Sequence, residues 1–312
     1  MTARLRALVL PGLVLSALAG CQVAPQGPAT RPVPRPEAAT PLPSPESAAI
    51  ARHFARVEAD LASRGLLRTD GDAADVTFSR RALVENFVKI ALYDEYVTRS
   101  GQLVARETPS RLRRWEQPIR LGLVFGDTVP EAQRARDRAE VSAYSRRLSG
   151  LARLPIRIVD PGQANFQVLI LNEDDRRTIG PRLRALVPGI DATAINTIET
   201  IPRSTFCLVL AFSRGDSSVY SRAVAVIRAE HPERLRQSCI HEELAQGMGL
   251  ANDSPAARPS IFNDDEEFAL LTRHDALLLK ILYDRRLRPG MTEAEARPIV
   301  ETIAAELMGG ES

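Results

Sequence analysis

Apolar residues recur along this chain with two different spacings, one typical of helices and the other of strands. Leu83, Phe87, Ile90 and Tyr93 recur every three or four residues, so they predict one buried face of a helix. Short runs of aliphatic and β-branched residues predict strands. The predicted helices cover residues 45–63, 79–96, 130–151, 174–186, 232–248, 272–284 and 292–307, and the predicted strands cover 119–125, 156–159, 166–171, 205–212 and 219–227.

The order of these elements favours an α+β fold with a mixed sheet ahead of the long helix at 232–248. The segment Arg214-Gly215-Asp216-Ser217 predicts a hairpin between the last two strands, and we expect the strand at 219–227 to form the upper edge of a cleft. Residues 48–312 are numerous enough to form a single large domain with helices at its N-terminal end.

The first residues have the features of an export signal. Arg4 and Arg6 precede an apolar run from 7 to 18, and the segment ends in Leu18-Ala19-Gly20-Cys21. The run is too short for a membrane span, so residues 1–20 predict a signal peptide and Cys21 predicts a lipidation site. An ordinary secretory signal with an incidental cysteine is the alternative. We therefore expect a lipid-anchored envelope protein, on the outer membrane facing the periplasm if the host is Gram-negative.

Residues 21–47 begin with the lipidated cysteine and continue as a Pro-rich stretch that lacks aromatic residues, which predicts a disordered tether. Without Arg4 and Arg6 the 41 basic residues fall to 39, which equals the 39 acidic residues. No basic stripe with interleaved aromatic residues is present, so nucleic acid is not an expected partner. The expected partners are the membrane, through the anchor, and an envelope protein, peptide or glycan.

Two further cysteines, Cys207 and Cys239, lie in the exported part of the chain. Export places them in an oxidising compartment, where a pair usually forms a disulfide. Such a bond would join a predicted strand to the long helix. Two buried free thiols are the alternative.

The segment from Glu242 to Asp253 carries the candidate chemistry. Glu242 and Gln246 are four residues apart and share one helix face, while Gly249 is placed to turn the chain toward Asn252 or Asp253. His241 precedes Gln246 by five residues, about 140° around the helix, so we expect it to neighbour this site and not to be a ligand.

This spacing resembles the zinc helix of matrixin-like metzincins, H-E-x-x-H-x-x-G-x-x-H. Glu242, Gln246 and Asn252, with Asp253 beside it, stand in the three ligand places, and Glu243 stands in the general-base place. Downstream, Ser260-Ile261-Phe262 is similar to the Met-turn, with Phe262 in the place of its methionine, and Leu271-Thr272-Arg273-His274-Asp275 predicts a helix capping box. The resemblance implies a zincin-like fold without the usual zinc ligands.

Residues 78–283 also resemble a family of bacterial exported proteins of unknown function, marked by C-I-x-E-E-x-x-Q-x-x-G-L-x-N-D-S and S-I-F-N-D. We expect a non-catalytic binding or scaffold protein without a cofactor. The alternative is a divergent metal-dependent peptidase or hydrolase that uses Glu243 as general base. A carboxylate with two amides binds zinc poorly and suits a harder divalent ion better.

Two acidic features are expected to be inert. Glu242 and Glu243 are adjacent on a helix and diverge by about 100°, so we do not expect them to act on one site as an acid pair. The run Asp264-Asp265-Glu266-Glu267 lacks the spacing of a calcium loop, which predicts a solvated loop.

Overall fold

The computed structural model describes residues 41–71, 76–99 and 102–309. The predicted signal peptide, Cys21 and the tether up to residue 40 lie outside these residues. The described helices are α1 (Pro45–Ser63), α2 (Arg80–Ala91), α3 (Glu131–Ala152), α4 (Glu173–Arg176), α5 (Gly180–Leu186), α6 (Ala192–Glu199), α7 (Glu233–Gln246), α8 (Arg273–Leu282) and α9 (Glu293–Met308). The strands are β1 (Tyr93–Arg99), β2 (Gln102–Pro109), β3 (Ile119–Phe125), β4 (Ile156–Val159), β5 (Phe166–Leu171), β6 (Cys207–Ser213) and β7 (Tyr220–Arg228).

A five-stranded mixed sheet organises the fold, in the order β4-β3-β5-β7-β6. The first four of these strands are parallel, and β6 runs antiparallel to β7, with Cys207 opposite Ile227. The prediction that 219–227 forms the cleft edge is wrong. β7 is a nearly continuous apolar run, which suits a strand covered on both faces, so β6 is left at the edge.

Helices cover both faces of this sheet. The larger core lies on the face covered by α2, α3, α7, α8 and α9, and a smaller core lies under α5 and α6. A third cluster forms where Phe54 of α1 packs with Leu235 of α7. None of the helices in the described residues combines the length and the apolar character that a membrane crossing requires.

Two predicted helices were wrong in extent. The helix predicted over 79–96 ends at Ala91, because Tyr96, Val97 and Thr98 are aromatic or β-branched and pair as β1 with β2. The helix predicted over 174–186 is split into α4 and α5, with Pro181 in the first turn of the second piece. Neither the β1–β2 hairpin nor α6 was predicted.

The remaining predicted elements agree with the structure within one or two residues at each end. The α+β class and the hairpin between β6 and β7 are confirmed. Thr272 also caps α8 as predicted: its hydroxyl accepts from the Asp275 backbone N–H, and the Asp275 carboxylate accepts from the Thr272 N–H.

Candidate functional site

The helix α7 supplies the first part of the site. It follows Pro232 and is buried over most of its length, which fixes the direction of its polar side chains. Gln246 Nε2 donates a hydrogen bond to Asp253 Oδ1 over 3.1 Å. The helix is therefore tied to the chain that returns after it, through an amide at one predicted ligand position and a carboxylate at another.

The return of the chain after α7 depends on a close backbone approach. Gly249 has φ +122°, and a Cβ at this position would collide with the carbonyl oxygen of Arg113. Two further hydrogen bonds hold the residues just before Gly249. Trp115 Nε1 donates to the Gly247 carbonyl over 2.9 Å, and the Tyr283 hydroxyl donates to the Met248 carbonyl over 3.0 Å. These contacts hold the turn and set the position of Asp253.

A second turn lies beneath the site and is held by one carboxylate. Asp275 accepts from the Ser260 hydroxyl over 2.6 Å and from the Ile261 N–H over 3.1 Å, besides its capping bonds to Thr272. Phe262, in the place where the metzincin turn carries methionine, is fully buried. The cap of α8 therefore also fixes this turn.

Two of the residues considered from the sequence point away from the site. Asn252 donates its side-chain amide to the Lys89 carbonyl over 2.9 Å, so it joins the turn to α2. His241 accepts from the Leu271 N–H over 3.0 Å, contacts Glu140 over 3.0 Å and stacks on Tyr144. His241 is thus fully engaged outside the Glu242 face, as the helical angle predicted.

A cleft of about 730 Å³ opens between α7 and the edge strand β6. Six consecutive residues from Cys207 to Phe212 line it. Because successive side chains of a strand point to opposite faces, a lining of consecutive residues means that the cleft follows the free edge of β6. Within the described residues, this edge has no strand partner.

Opposite β6 lies a group of carboxylates that we call the acidic cluster. It consists of Glu242, Glu243, Asp253, Asp264 and Glu266. Asp94 and Asp191 also line the cleft, and Arg113 is the one basic residue among the described lining. Arg113 forms an ion pair with Asp94. The cleft is therefore lined mainly by acidic residues and suits a cation.

Burial and neighbouring negative charges raise the pKa values of carboxylates in the acidic cluster. Burial, followed by the negative charges of Asp253 and Glu243, raises the pKa of Glu242 well above its usual value. Burial and the charges of Asp264 and Asp265 raise the pKa of Glu266 to about 7. Burial also raises the pKa of Asp264, although a hydrogen bond with Asp253 acts in the opposite direction. A bound cation would relieve this repulsion.

The predicted disulfide is confirmed: Cys207 and Cys239 are bonded, joining β6 to α7. Glu242 Oε2 lies 4.0 Å from Cys207 Sγ. One ligand atom from each of Cys207, Glu242 and Glu243 falls within 4.8 Å of the others. The expectation that the adjacent glutamates would diverge from one site is therefore wrong, because their long side chains converge on the cleft despite the angle between their Cα–Cβ bonds.

The acidic run after the second turn is exposed at Asp264 and Asp265, as a solvated loop would be, but it also contributes to the cleft. Asp264 and Glu266 adopt positive φ values of 60° and 58°, unusual for residues other than glycine, and both line the cleft. Glu267 instead binds Arg258 over 2.6 Å. Sequence reasoning missed the place of Asp264 and Glu266 in the cleft lining because nothing in the local pattern marks their positive φ values.

Comparison with known proteins gives a family without an assigned activity. No curated protein and no solved structure matches the chain significantly. A family model described as "Protein of unknown function (DUF2927)" matches residues 80–302. This match covers every residue that lines the cleft, and it spans more than half of the chain. The chain therefore belongs to the DUF2927 family of proteins of unknown function.

Proposed function

We propose that this protein is a lipid-anchored envelope protein whose zincin-like domain binds, without cleaving, an extended basic segment of a partner polypeptide. One observation carries the proposal: the free edge of β6 runs along a cleft whose opposite wall is the acidic cluster. The contact between Gln246 and Asp253, at two of the metzincin-like ligand places, supports the zincin-like interpretation. The signal sequence and Cys21 support the anchor.

An exposed strand edge can pair with a further strand through main-chain hydrogen bonds. β6 has seven residues, which suits a partner segment of similar length. A lysine or arginine side chain on that segment would point from the edge into the acidic cluster. Burial, followed by repulsion from neighbouring carboxylates, raises the pKa of Glu242 and Glu266, and the charge of that side chain would offset the repulsion.

Synthetic peptides test this proposal directly. We would measure binding to the full chain in detergent for Val/Thr peptides of about eight residues with one central Lys, Glu or norleucine. We expect the Lys peptide to bind at least about tenfold more tightly than the others, with a loss of affinity at high salt. Equal affinity for the Lys and Glu peptides, or no binding of either, would contradict the proposal.

The mode of binding has its own test. N-methylation at alternate positions removes the N–H groups that one edge of the peptide offers, so one methylation register should abolish binding and the register shifted by one residue should not. Glu242→Gln and Asp253→Asn should each lower the affinity for the Lys peptide by about tenfold. The matched control is Glu267→Gln, because Glu267 lies in the same loop as Glu266 but outside the cleft lining.

A divergent metal-dependent hydrolase is the second candidate, favoured by one observation. Glu242, Gln246 and Asp253 bring oxygen atoms together next to Glu243, the residue in the general-base place. With Cys207 bonded to Cys239, this set offers neither imidazole nor thiolate, so zinc does not fit it and a hard ion such as Mn²⁺ or Ca²⁺ fits better.

Elemental analysis of the disulfide-bonded chain separates the two candidates. We expect no stoichiometric zinc and no peptide hydrolysis with added Mn²⁺, Ca²⁺ or Zn²⁺. One divalent ion per chain, together with hydrolysis that Glu243→Gln abolishes, would favour the enzyme.

A further inference from the structure

The disulfide lies among other metal-binding side chains. His231, in the loop between β7 and α7, places Nδ1 3.7 Å from Cys239 Sγ. On the other side of the bond, Glu242 Oε2 lies 4.0 Å from Cys207 Sγ. Two sulfurs, an imidazole and a carboxylate are thus consecutive neighbours, and three segments of the fold contribute them.

We propose that the reduced chain binds one Zn²⁺ through Cys207, Cys239, His231 and Glu242, so that the disulfide and the metal are alternative occupants of one site. Sulfur and nitrogen ligands on tetrahedral zinc lie about 3.5 Å apart, from bond lengths of about 2.3 and 2.0 Å. The separations of 3.7 and 4.0 Å show that each sulfur already has one lighter ligand beside it at nearly this distance. Breaking the S–S bond frees both sulfurs to rotate, so that the two pairs of ligands can close on one ion.

The surroundings of His231 point to a ligand independently. The residue is only 2% exposed, its ring packs edge-on against Phe54, and its Nδ1, the proposed ligand atom, faces the Cys239 sulfur. A thioether-like disulfide sulfur is a weak hydrogen-bond partner, so this buried nitrogen is poorly satisfied in the oxidised chain, which is uncommon in a purely structural role.

The ion also has a route to this site. Cys239 and His231 are buried behind the cleft wall, while Cys207 and Glu242 are half-buried and line the cleft itself. Cys239 and Glu242 are three residues apart on α7 and therefore share a face. The acidic cluster would attract a divalent cation to the opening.

The exchange balances chemically. A dithiol reductant transfers two electrons and two protons to the disulfide, which becomes two thiols while the reductant becomes a disulfide. Zinc binding then forms two Zn–S bonds and releases both thiol protons to solvent. Before its cysteines are oxidised, the chain has the thiols this site requires, so zinc and oxidation compete for them.

Metal titration of the full chain tests the site. The protein is reduced anaerobically with a phosphine, desalted and titrated with Zn²⁺ against a competing chelator, and Co²⁺ serves as a spectroscopic probe. We expect about one equivalent in the reduced chain, little in the oxidised chain, and near-ultraviolet thiolate-to-Co²⁺ bands. Equal binding by the oxidised chain, or Co²⁺ spectra without thiolate bands, would overturn the proposal.

Variants assign the ligands. His231→Leu and Glu242→Gln should each weaken zinc binding to the reduced chain, the former at least about 100-fold. His53→Leu in α1 is the histidine control and should bind normally. Gln237→Ala, on α7 but outside the cleft lining, should also bind normally. If His231→Leu does not fold, X-ray absorption of the reduced zinc form decides, since a shell of two sulfurs and two lighter atoms is required. Unchanged affinity in folded His231→Leu would contradict the site.

Discussion

Two groups of carboxylates in this molecule, one around the buried Glu173 and one lining the cleft, have opposite electrostatics. Glu173, the first residue of α4, binds Arg176 over 2.8 Å, Arg228 over 2.7 Å and Arg177 over 2.8 Å. Although burial acts to raise it, the bonds and charges of Arg176 and Arg228 lower the pKa of Glu173. In the acidic cluster, burial and neighbouring carboxylates raise the pKa of Glu242 and Glu266.

The comparison distinguishes charged residues that stabilise the fold from charged residues that are placed to bind a ligand. The Glu173 network is complete, and its arginines also donate to backbone carbonyls of Ile198 and Ile201. It therefore stabilises the fold without a ligand. The acidic cluster faces a cleft with a single basic residue in its described lining, so either protonation or the entry of a cation relieves its repulsion.

The largest expected effect comes from breaking the complete network. Glu173→Gln leaves Arg176 and Arg228 buried without their carboxylate, which should lower the free energy of unfolding by about 3–5 kcal/mol. Denaturant unfolding at neutral pH measures it. Glu233→Gln is the control, since its contact with Arg136 is exposed and 3.9 Å long. A loss no larger than that of the control would contradict the distinction between the two groups.

Removing the disulfide should have the next largest effect. The Cys207→Ala, Cys239→Ala double variant should lose about 2–4 kcal/mol, because the bond closes a loop of 32 residues between β6 and α7. Unfolding of this variant is compared with that of the oxidised wild type. Two alkylatable thiols in the native, non-reduced protein would instead mean that the bond is absent from the purified chain.

The Gln246–Asp253 hydrogen bond is the third target, because it ties the acidic cluster to α7. Gln246→Ala should lower stability by about 1–3 kcal/mol, since Asp253 loses an amide donor at a half-buried position. Gln237→Ala, on the same helix, is the matched control. Chelator should leave the wild-type melting temperature unchanged. A drop with chelator, and none in Gln246→Ala, would mean that a metal holds this turn.

The smallest expected effect is a dependence on pH with opposite signs at neighbouring residues. Because the pKa of Glu266 is raised to about 7 on folding, its contribution to stability is full below about pH 4.5 and is lost as the pH rises through 7. Glu266→Gln should therefore gain about 1–2 kcal/mol over the wild type at about pH 8 and nothing at about pH 4.5.

Glu267 supplies the opposite control. A hydrogen bond from Arg258 lowers the pKa of Glu267, so its contribution is present above the unfolded pKa and is lost in acid. Glu267→Gln should lose stability at about pH 8, by up to about 1 kcal/mol. Parallel pH profiles of the two variants would contradict the assigned environments.

The sequence predicted the parts of this molecule that depend on local spacing. The pattern of the sequence located α1, α7 and α8, and it placed Gly249 so that the chain turns toward Asp253, which does contact Gln246. The prediction from apolar periodicity failed at Tyr93, which continues the helical period but belongs to β1. Periodicity extends past a helix end whenever the next strand also buries apolar residues.

The rest of the site depends on tertiary contacts. Asp264 and Glu266 reach the cluster through positive φ values that no local residue type requires. The edge position of β6 follows from β7 inserting beside β5, a parallel pairing between segments far apart in the chain. His231 joins the cysteines only after β7 and α7 have been placed. Contacts between residues so far apart in the chain cannot be predicted from the spacing of residues in one sequence.

The N-terminal attachment of α1 determines how mechanical load would enter the domain. Ser44 binds Asp174 through both its N–H, over 2.9 Å, and its hydroxyl, over 2.6 Å, and the Ser47 hydroxyl binds Glu230 over 2.7 Å. Tension on the chain before residue 44 would pass through these bonds into the segments that follow β5 and β7. Neither Asp174 nor Glu230 lines the cleft. A pull on the chain before residue 44 would therefore first load polar contacts whose acceptors lie outside the cleft lining.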